Sequence, residues 1–175
     1  MGPEQNVGRR QATAWDAVDV HCSKYMKLSA QEEYGLRCLL RVAGALDGSS
    51  VTIPSIAEAE GLSIPYVGKL MSILRQGEFV ESVRGQAGGY VLSRPPEKIT
   101  VAEVLAFLGG RLFEPAFCDE FVGLEQVCTR SIDCSVRSLW RSVQHAVDVV
   151  LAGITLKDLL RKESEVNKLV ALHKR

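Results

Sequence analysis

The sequence predicts a mainly α-helical chain: a winged helix-turn-helix followed by a long C-terminal dimerisation helix. Three observations carry that prediction. Two short helical segments meet at the tight turn Glu60-Gly61-Leu62-Ser63. Directly behind them, Phe79-Val80-Glu81-Ser82-Val83 and Tyr90-Val91-Leu92 flank a glycine-rich turn, as the two strands of a hairpin do. Finally, an apolar stripe from Val136 to Leu151 runs for about four helical turns, more than a small domain needs to cover its own core.

Taken in order, residues 1–25 show no apolar periodicity and read as a disordered N-terminal extension, with Met26 opening the folded part. His21 and Cys22 lie there, and two adjacent ligating residues do not make a metal site alone. Ser29 followed by Glu32 is a capping box, which satisfies orphan amides at a helix start. Leu36, Leu39, Leu40, Ala43 and Leu46 then repeat at helical spacing, predicting a helix as far as Asp47-Gly48. Thr52 and Pro54 open a second helix through Ile56, Ala57 and Ala59. Gly61 ends it, because glycine enters the left-handed region without a Cβ penalty.

Ser63 caps a third helix with Pro65 in its first turn and Val67, Leu70, Met71 and Leu74 on one face, ending at Gln76-Gly77. The hairpin that follows a second helix in this way is a wing. Thr100 and Glu103 form another capping box, opening a helix along Val101, Val104, Leu105 and Leu108 that Gly109-Gly110 closes. Residues Arg111 to Asp133 lack periodicity. After Cys134 the long helix carries Val136, Leu139, Trp140, Val143, Val147, Val150 and Leu151 on one stripe, a surplus face suited to its own copy. Thr155 to Leu160 repeats the capping pattern and folds back on the body, and the amphipathic remainder to Arg175 is a further helical segment. The predicted organisation is therefore a head at 26–95, a connecting helix and cysteine loop at 96–134, a dimerisation helix with its fold-back at 135–160, and a tail at 161–175.

Composition narrows the function classes. The chain has 175 residues, 46% of them hydrophobic and 24% charged, enough for one ordinary core. No apolar stretch approaches the roughly 20 residues of a membrane span, and no basic start leads into an apolar core as a secretory signal would, so a cytoplasmic setting is expected. Aromatic residues make up 6%, too few for a binder that stacks single-stranded bases. Twenty-one basic residues balance 21 acidic ones, so affinity for nucleic acid has to come from a local patch. Between Ser63 and Arg94, Lys69, Arg75, Arg84 and Arg94 face only Glu78 and Glu81, a net charge of +2; between Pro95 and Cys134 the balance is −4. No phosphate loop, nucleophile elbow or paired catalytic carboxylates occur, and His21, His145 and His173 are scattered, so no enzyme is expected.

In a helix-turn-helix the N-terminal residues of the second helix reach base edges in the major groove. Here those are Ser63, Pro65, Tyr66 and Lys69: hydroxyls and an ammonium for bases or phosphates, and a proline that fixes the first turn. Arg84 sits at the wing tip beside Gly85, where small neighbours let a guanidinium enter a narrow minor groove.

Five cysteines are present, and three of them crowd into one stretch as Cys118-x9-Cys128-x5-Cys134. A structural zinc site favours a tight C-x2-C pair and four ligands, and neither is present. Wider spacing suits an iron–sulfur cluster, whose irons bind separate thiolates. A thiol redox switch and plain buried cysteines are the other readings of the same residues.

Met26-Lys27-Leu28-Ser29 with Tyr34-Gly35-Leu36-Arg37, Ser63-Ile64-Pro65-Tyr66-Val67, Ser82-Val83-Arg84-Gly85 with Gly88-Gly89-Tyr90, and Ile154-Thr155-Leu156-Lys157-Asp158-Leu159 together resemble the Rrf2 family of bacterial winged-helix transcription regulators. The resemblance runs from Met26 to about Leu160. It implies a homodimer joined by the long helix, binding palindromic double-stranded promoter DNA. It also implies that Cys118, Cys128 and Cys134 hold a [2Fe–2S] or [4Fe–4S] cluster in a sensing member. Two departures stand out: the first cysteine gap, x9, exceeds the family's commonest x5, and Arg137 occupies the position where some members place a fourth, histidine ligand. Other members use a first-helix carboxylate from the opposite subunit, and the matching residue here is Glu33. A hard oxygen donor holds iron less firmly than thiolate and suits a labile, sensing cluster. Members without clusters imply the alternative, regulation through thiol redox or a partner protein.

Overall fold

The computed structural model describes residues 28–45, 48–85, 88–113, 118, 128, 130 and 132–172. The proposed extension at 1–25, with His21 and Cys22, lies outside them, as do Leu46, Asp47, most of the 111–133 stretch and His173. The described elements are α1 (Ala30–Ala43), α2 (Ile53–Glu60), α3 (Ile64–Gln76), β1 (Val80–Val83), β2 (Gly89–Leu92), α4 (Val101–Gly109), α5 (Ser135–Ala152), α6 (Leu156–Leu159) and α7 (Glu163–Leu172).

Helix starts follow local chemistry. The capping box at Ser29 and Glu32 forms in both directions, and so do those at Thr100 and Glu103 and at Thr155 and Asp158. Thr52 accepts the Ser55 amide at the start of α2, and Gly61 ends it at φ 66°. Helix ends depart more from expectation. α1 stops at Ala43 rather than near Asp47-Gly48, because Gly44 is the first of two available stops and its N–H already closes on Leu40 O at 2.9 Å. At the end of α3 the left-handed residue is Glu78, φ 58°, not Gly77. That conformation is costly for a residue with a Cβ; it persists here because the next N–H, from Phe79, returns to Leu74 O at 3.0 Å and the Phe79 ring is buried.

The head closes on one core. Cys38, Leu39 and Val42 of α1, Ile56 and Ala57 of α2, and the predicted α3 face of Val67, Leu70, Met71 and Leu74 pack with Phe79, Val80, Ile99, Val104, Leu108 and Leu156. At its rim Glu60, with 4% of its side chain exposed, is held between Arg37 and Arg41. Burial pushes the Glu60 carboxyl up, but the hydrogen bonds and charges of the two arginines together pull it further down, below the usual carboxylate range. The chain then leaves the head and returns to it. Val101 donates to Ile154 O at 2.9 Å and Leu156 to Ile99 O at 3.0 Å, so the fold-back predicted at Thr155 seats Leu156, fully buried, beneath α1.

The wing is an antiparallel pair with Val80 opposite Leu92 and Val83 opposite Gly89. Val51 braces it from the far side, exchanging two 2.9 Å hydrogen bonds with Tyr90. That brace needs glycine next door: a Cβ at Gly89 would stand 2.7 Å from the Val51 carbonyl oxygen, a backbone atom that cannot swing aside. Gly89→Ala is accordingly expected to lower stability by about 1–3 kcal/mol. Urea unfolding checks this, and an unchanged midpoint would contradict the account of the wing.

Candidate nucleic-acid interface and cysteine centre

The sequence-predicted reading residues gather at one end of α3. Ser63, Pro65 and Lys69 are all exposed there. Ser63 holds the N-cap backbone conformation, φ −73° and ψ 142°, but its hydroxyl makes no capping hydrogen bond, so it caps by position only. Tyr66 stands differently: half-buried, its ring meets Tyr34 of α1 edge-on at 6.1 Å, and Arg37 lies 5.5 Å from the Tyr34 ring centre. Tyr66 thereby ties the first turn of α3 to α1. Sequence reasoning passed over Ile64, which is 54% exposed on the same turn. Its signal was visible, since it falls outside the buried 67/70/71/74 register, and an exposed aliphatic group at that position suits a thymine methyl. Arg84 is exposed on the wing, and Gly85, at φ 116°, accepts the Gly88 amide at 2.9 Å to close the turn; Gln86 and Ala87 lie outside the described residues.

The cysteines divide into two kinds. Cys38 is fully buried in the core, and burial first, with Glu60 adding to it, pushes its thiol up to about 11, so it is neutral at ordinary pH. Cys118, Cys128 and Cys134 are free and partly exposed. Cys134 is the N-cap of α5, its Sγ accepting the Arg137 amide at 3.3 Å. A helix N-terminus favours negative charge, which suits a thiolate ligand. Glu33 is exposed on α1, one residue beyond Glu32, whose side chain lies against Gly109. The first turn of α1 therefore abuts the end of α4 where the cysteine stretch begins. Within one protomer, no three His, Cys, Asp or Glu side chains among the described residues lie close enough to hold a metal ion. As a donor set the three thiols nonetheless fit an iron–sulfur cluster: all are free, accessible and soft.

Comparison with known proteins agrees with this architecture. The Rrf2 family model, described as an iron-dependent transcriptional regulator, matches residues 28–162. The protein rrf2 of Nitratidesulfovibrio vulgaris is 34% identical over 139 residues, covering 79% of this chain and 90% of that protein. Among solved structures, IscR of T. potens superposes with a TM-score of 0.61 at 32% identity, covering 78% of this chain and 87% of that one. CymR, described as the global cysteine regulator of B. subtilis, gives 0.58 at 30% identity, covering 77% and 96%. The chain belongs to the Rrf2 family. It is a DNA-binding transcriptional regulator of the winged-helix class, not an enzyme. None of its described helices is long and apolar enough to cross a membrane.

The two kinds of cysteine make a direct prediction. Iodoacetamide at pH 8 on the folded, metal-free chain should label Cys118, Cys128 and Cys134 and leave Cys38 unmodified until denaturant is added, as read by peptide mass mapping. Labelling of Cys38 at the same rate as the other three would contradict the core position assigned to it.

Proposed function

We propose that this chain is a homodimeric, cytoplasmic regulator whose promoter affinity is set by an iron–sulfur cluster at Cys118, Cys128 and Cys134, with Glu33 of the opposite protomer as a fourth, oxygen ligand. One observation carries the reading. The three free cysteines lie between α4, which is packed on the first turn of α1, and α5, whose N-cap is Cys134. Whatever binds those thiols acts on the junction between the reading head and the pairing helix. When bound, the cluster supplies a site that gains or loses electrons and is dismantled by oxidants or iron loss. The protein's own part is to hold two heads at a spacing that a two-fold operator matches. In each head Ser63, Ile64, Pro65, Tyr66 and Lys69 meet the major groove, and Arg84 with Gly85 the minor groove. The switch follows if the two cysteine states hold the heads differently, because only a difference in DNA affinity between states moves the equilibrium.

Pairing is supported by α5 itself. Leu139 and Trp140 are 57% and 45% exposed in the single protomer, Val136 is also exposed, and they share one stripe. A second copy covers them most simply. Clusterless thiol regulation is the second reading, and it is supported by the similarity to CymR.

Anaerobic reconstitution with iron and sulfide separates the two. The wild-type chain should turn brown, with visible absorption, and change its operator affinity about tenfold or more. Cys128→Ser should stay colourless and lose that change. A colourless wild-type product retaining three free thiols would rule the cluster out and leave thiol redox.

A further inference from the structure

The only residue of α5 that a single protomer buries is polar: Gln144, 6% exposed. Its carboxamide is engaged at both ends. Oε1 accepts the Phe113 N–H at 2.9 Å, and Nε2 donates to Asp148 Oδ1 at 2.7 Å. The other oxygen of Asp148 pairs with Arg111. Residues 111 and 113, which lead into the cysteine stretch, are thus pinned to α5 at 144 and 148, while the far end of that stretch, Cys134, is the N-cap of the same helix. The two attachment levels stand about 15 Å apart along the helix axis.

The near end has a second attachment. Gln31 of α1 donates to Leu108 O at the end of α4, and Gly35 lets Leu108 come so close that a Cβ there would stand 2.7 Å from its side chain. α1 in turn meets α3 through Tyr34 and Tyr66. A continuous path of hydrogen bonds and packed side chains therefore runs from the cysteine stretch through Phe113, α4 and α1 to the first turn of the recognition helix. Gln144 is the buried polar contact that fastens this path to the pairing helix, which α4 also packs beside. It borders an open polar cavity of about 210 Å³, which leaves the Phe113 peptide room to move if the bond is released.

We infer that Gln144 is a positioning residue: a latch that converts a change in the cysteine stretch into a change in the angle between the reading head and α5. The inference rests on the reading that the cysteine stretch is the sensor. A buried amide on a helix that leaves every other polar side chain at least partly exposed is hard to account for by packing, since leucine or methionine would fill the space without needing two partners.

Gln144→Met, which keeps length and volume but loses both polar atoms, tests it in the full-length dimer. Three quantities are read: solution mass, hydrogen exchange of the Phe113 amide, and the ratio of operator affinities with and without reconstituted cluster. The latch predicts an unchanged mass, exchange at Phe113 at least about tenfold faster, and a ratio reduced from about tenfold to below about threefold with the cluster still loaded. Retention of the full ratio, or unchanged exchange at Phe113, overturns the latch alone. A wild-type ratio near one overturns the cluster-controlled reading and the latch with it. Should Gln144→Met fail to fold, Asp148→Ala, which removes the outer support of the same amide, is expected to lower the ratio in the same direction, and a full ratio there overturns the latch.

Discussion

Everything in this chain depends on an apolar helical face that its own fold does not cover. α5 has 18 residues, about 27 Å of helix; on its stripe Val136, Leu139 and Trp140 stay exposed in the protomer, while Val143 and Val147 are half-buried. The core of the head is complete without it, since Leu39, Val67, Leu70, Leu74, Ile99 and Leu156 close around one another. Burying each large aliphatic or aromatic side chain is worth about 1.5–3 kcal/mol, so Val136, Leu139 and Trp140 left in water favour a second copy. In the proposed dimer α5 pairs while the head keeps its own core, and residues 110–134 join the two. The cysteines sit at that junction.

The junction is kept narrow by how the chain leaves and re-enters the head. Val101 and Leu156 bond to Ile154 and Ile99 across the fold-back, so α4 and α6 start side by side, each with its own capping box. α5 spans the distance between them without contributing an apolar residue to the core. Besides packing beside α4, it is tied to the residues that follow that helix by polar contacts through Gln144, Asp148 and Arg111. Polar links depend on geometry more steeply than apolar contact does, which suits the proposed switch between two head angles.

Local chemistry made much of this legible in the sequence. Ser29 with Glu32, Thr100 with Glu103, and Thr155 with Asp158 announce helix starts because a cap is a contact between residues three apart, and Gly61 announces a stop for the same local reason. The buried face of α3 follows from period alone. What stayed hidden depended on partners far along the chain. Glu78 takes the left-handed position at the end of α3 because Phe79 is buried behind it. Tyr66, an apparent base reader, is half committed to Tyr34. Glu60 looks like a surface charge until Arg37 and Arg41 close over it from another helix. Gln144 looks like one more polar residue on an amphipathic helix, and only the Phe113 amide, 31 residues away, shows what it holds. Ser63, Pro65, Lys69 and Arg84, proposed to face DNA and all exposed, follow from the motif; Ile64 was passed over although it falls outside the buried 67/70/71/74 register.

The measurement that bears most directly on this account is the mass of the full-length chain in dilute solution by light scattering, with Leu139→Asp alongside. The account predicts twice the 19.2 kDa chain mass for wild type and a folded species of single-chain mass, unable to hold a two-fold operator, for the variant. A wild-type chain that stays at 19.2 kDa while binding its operator at full strength would show that the uncovered face of α5 serves something other than a second copy.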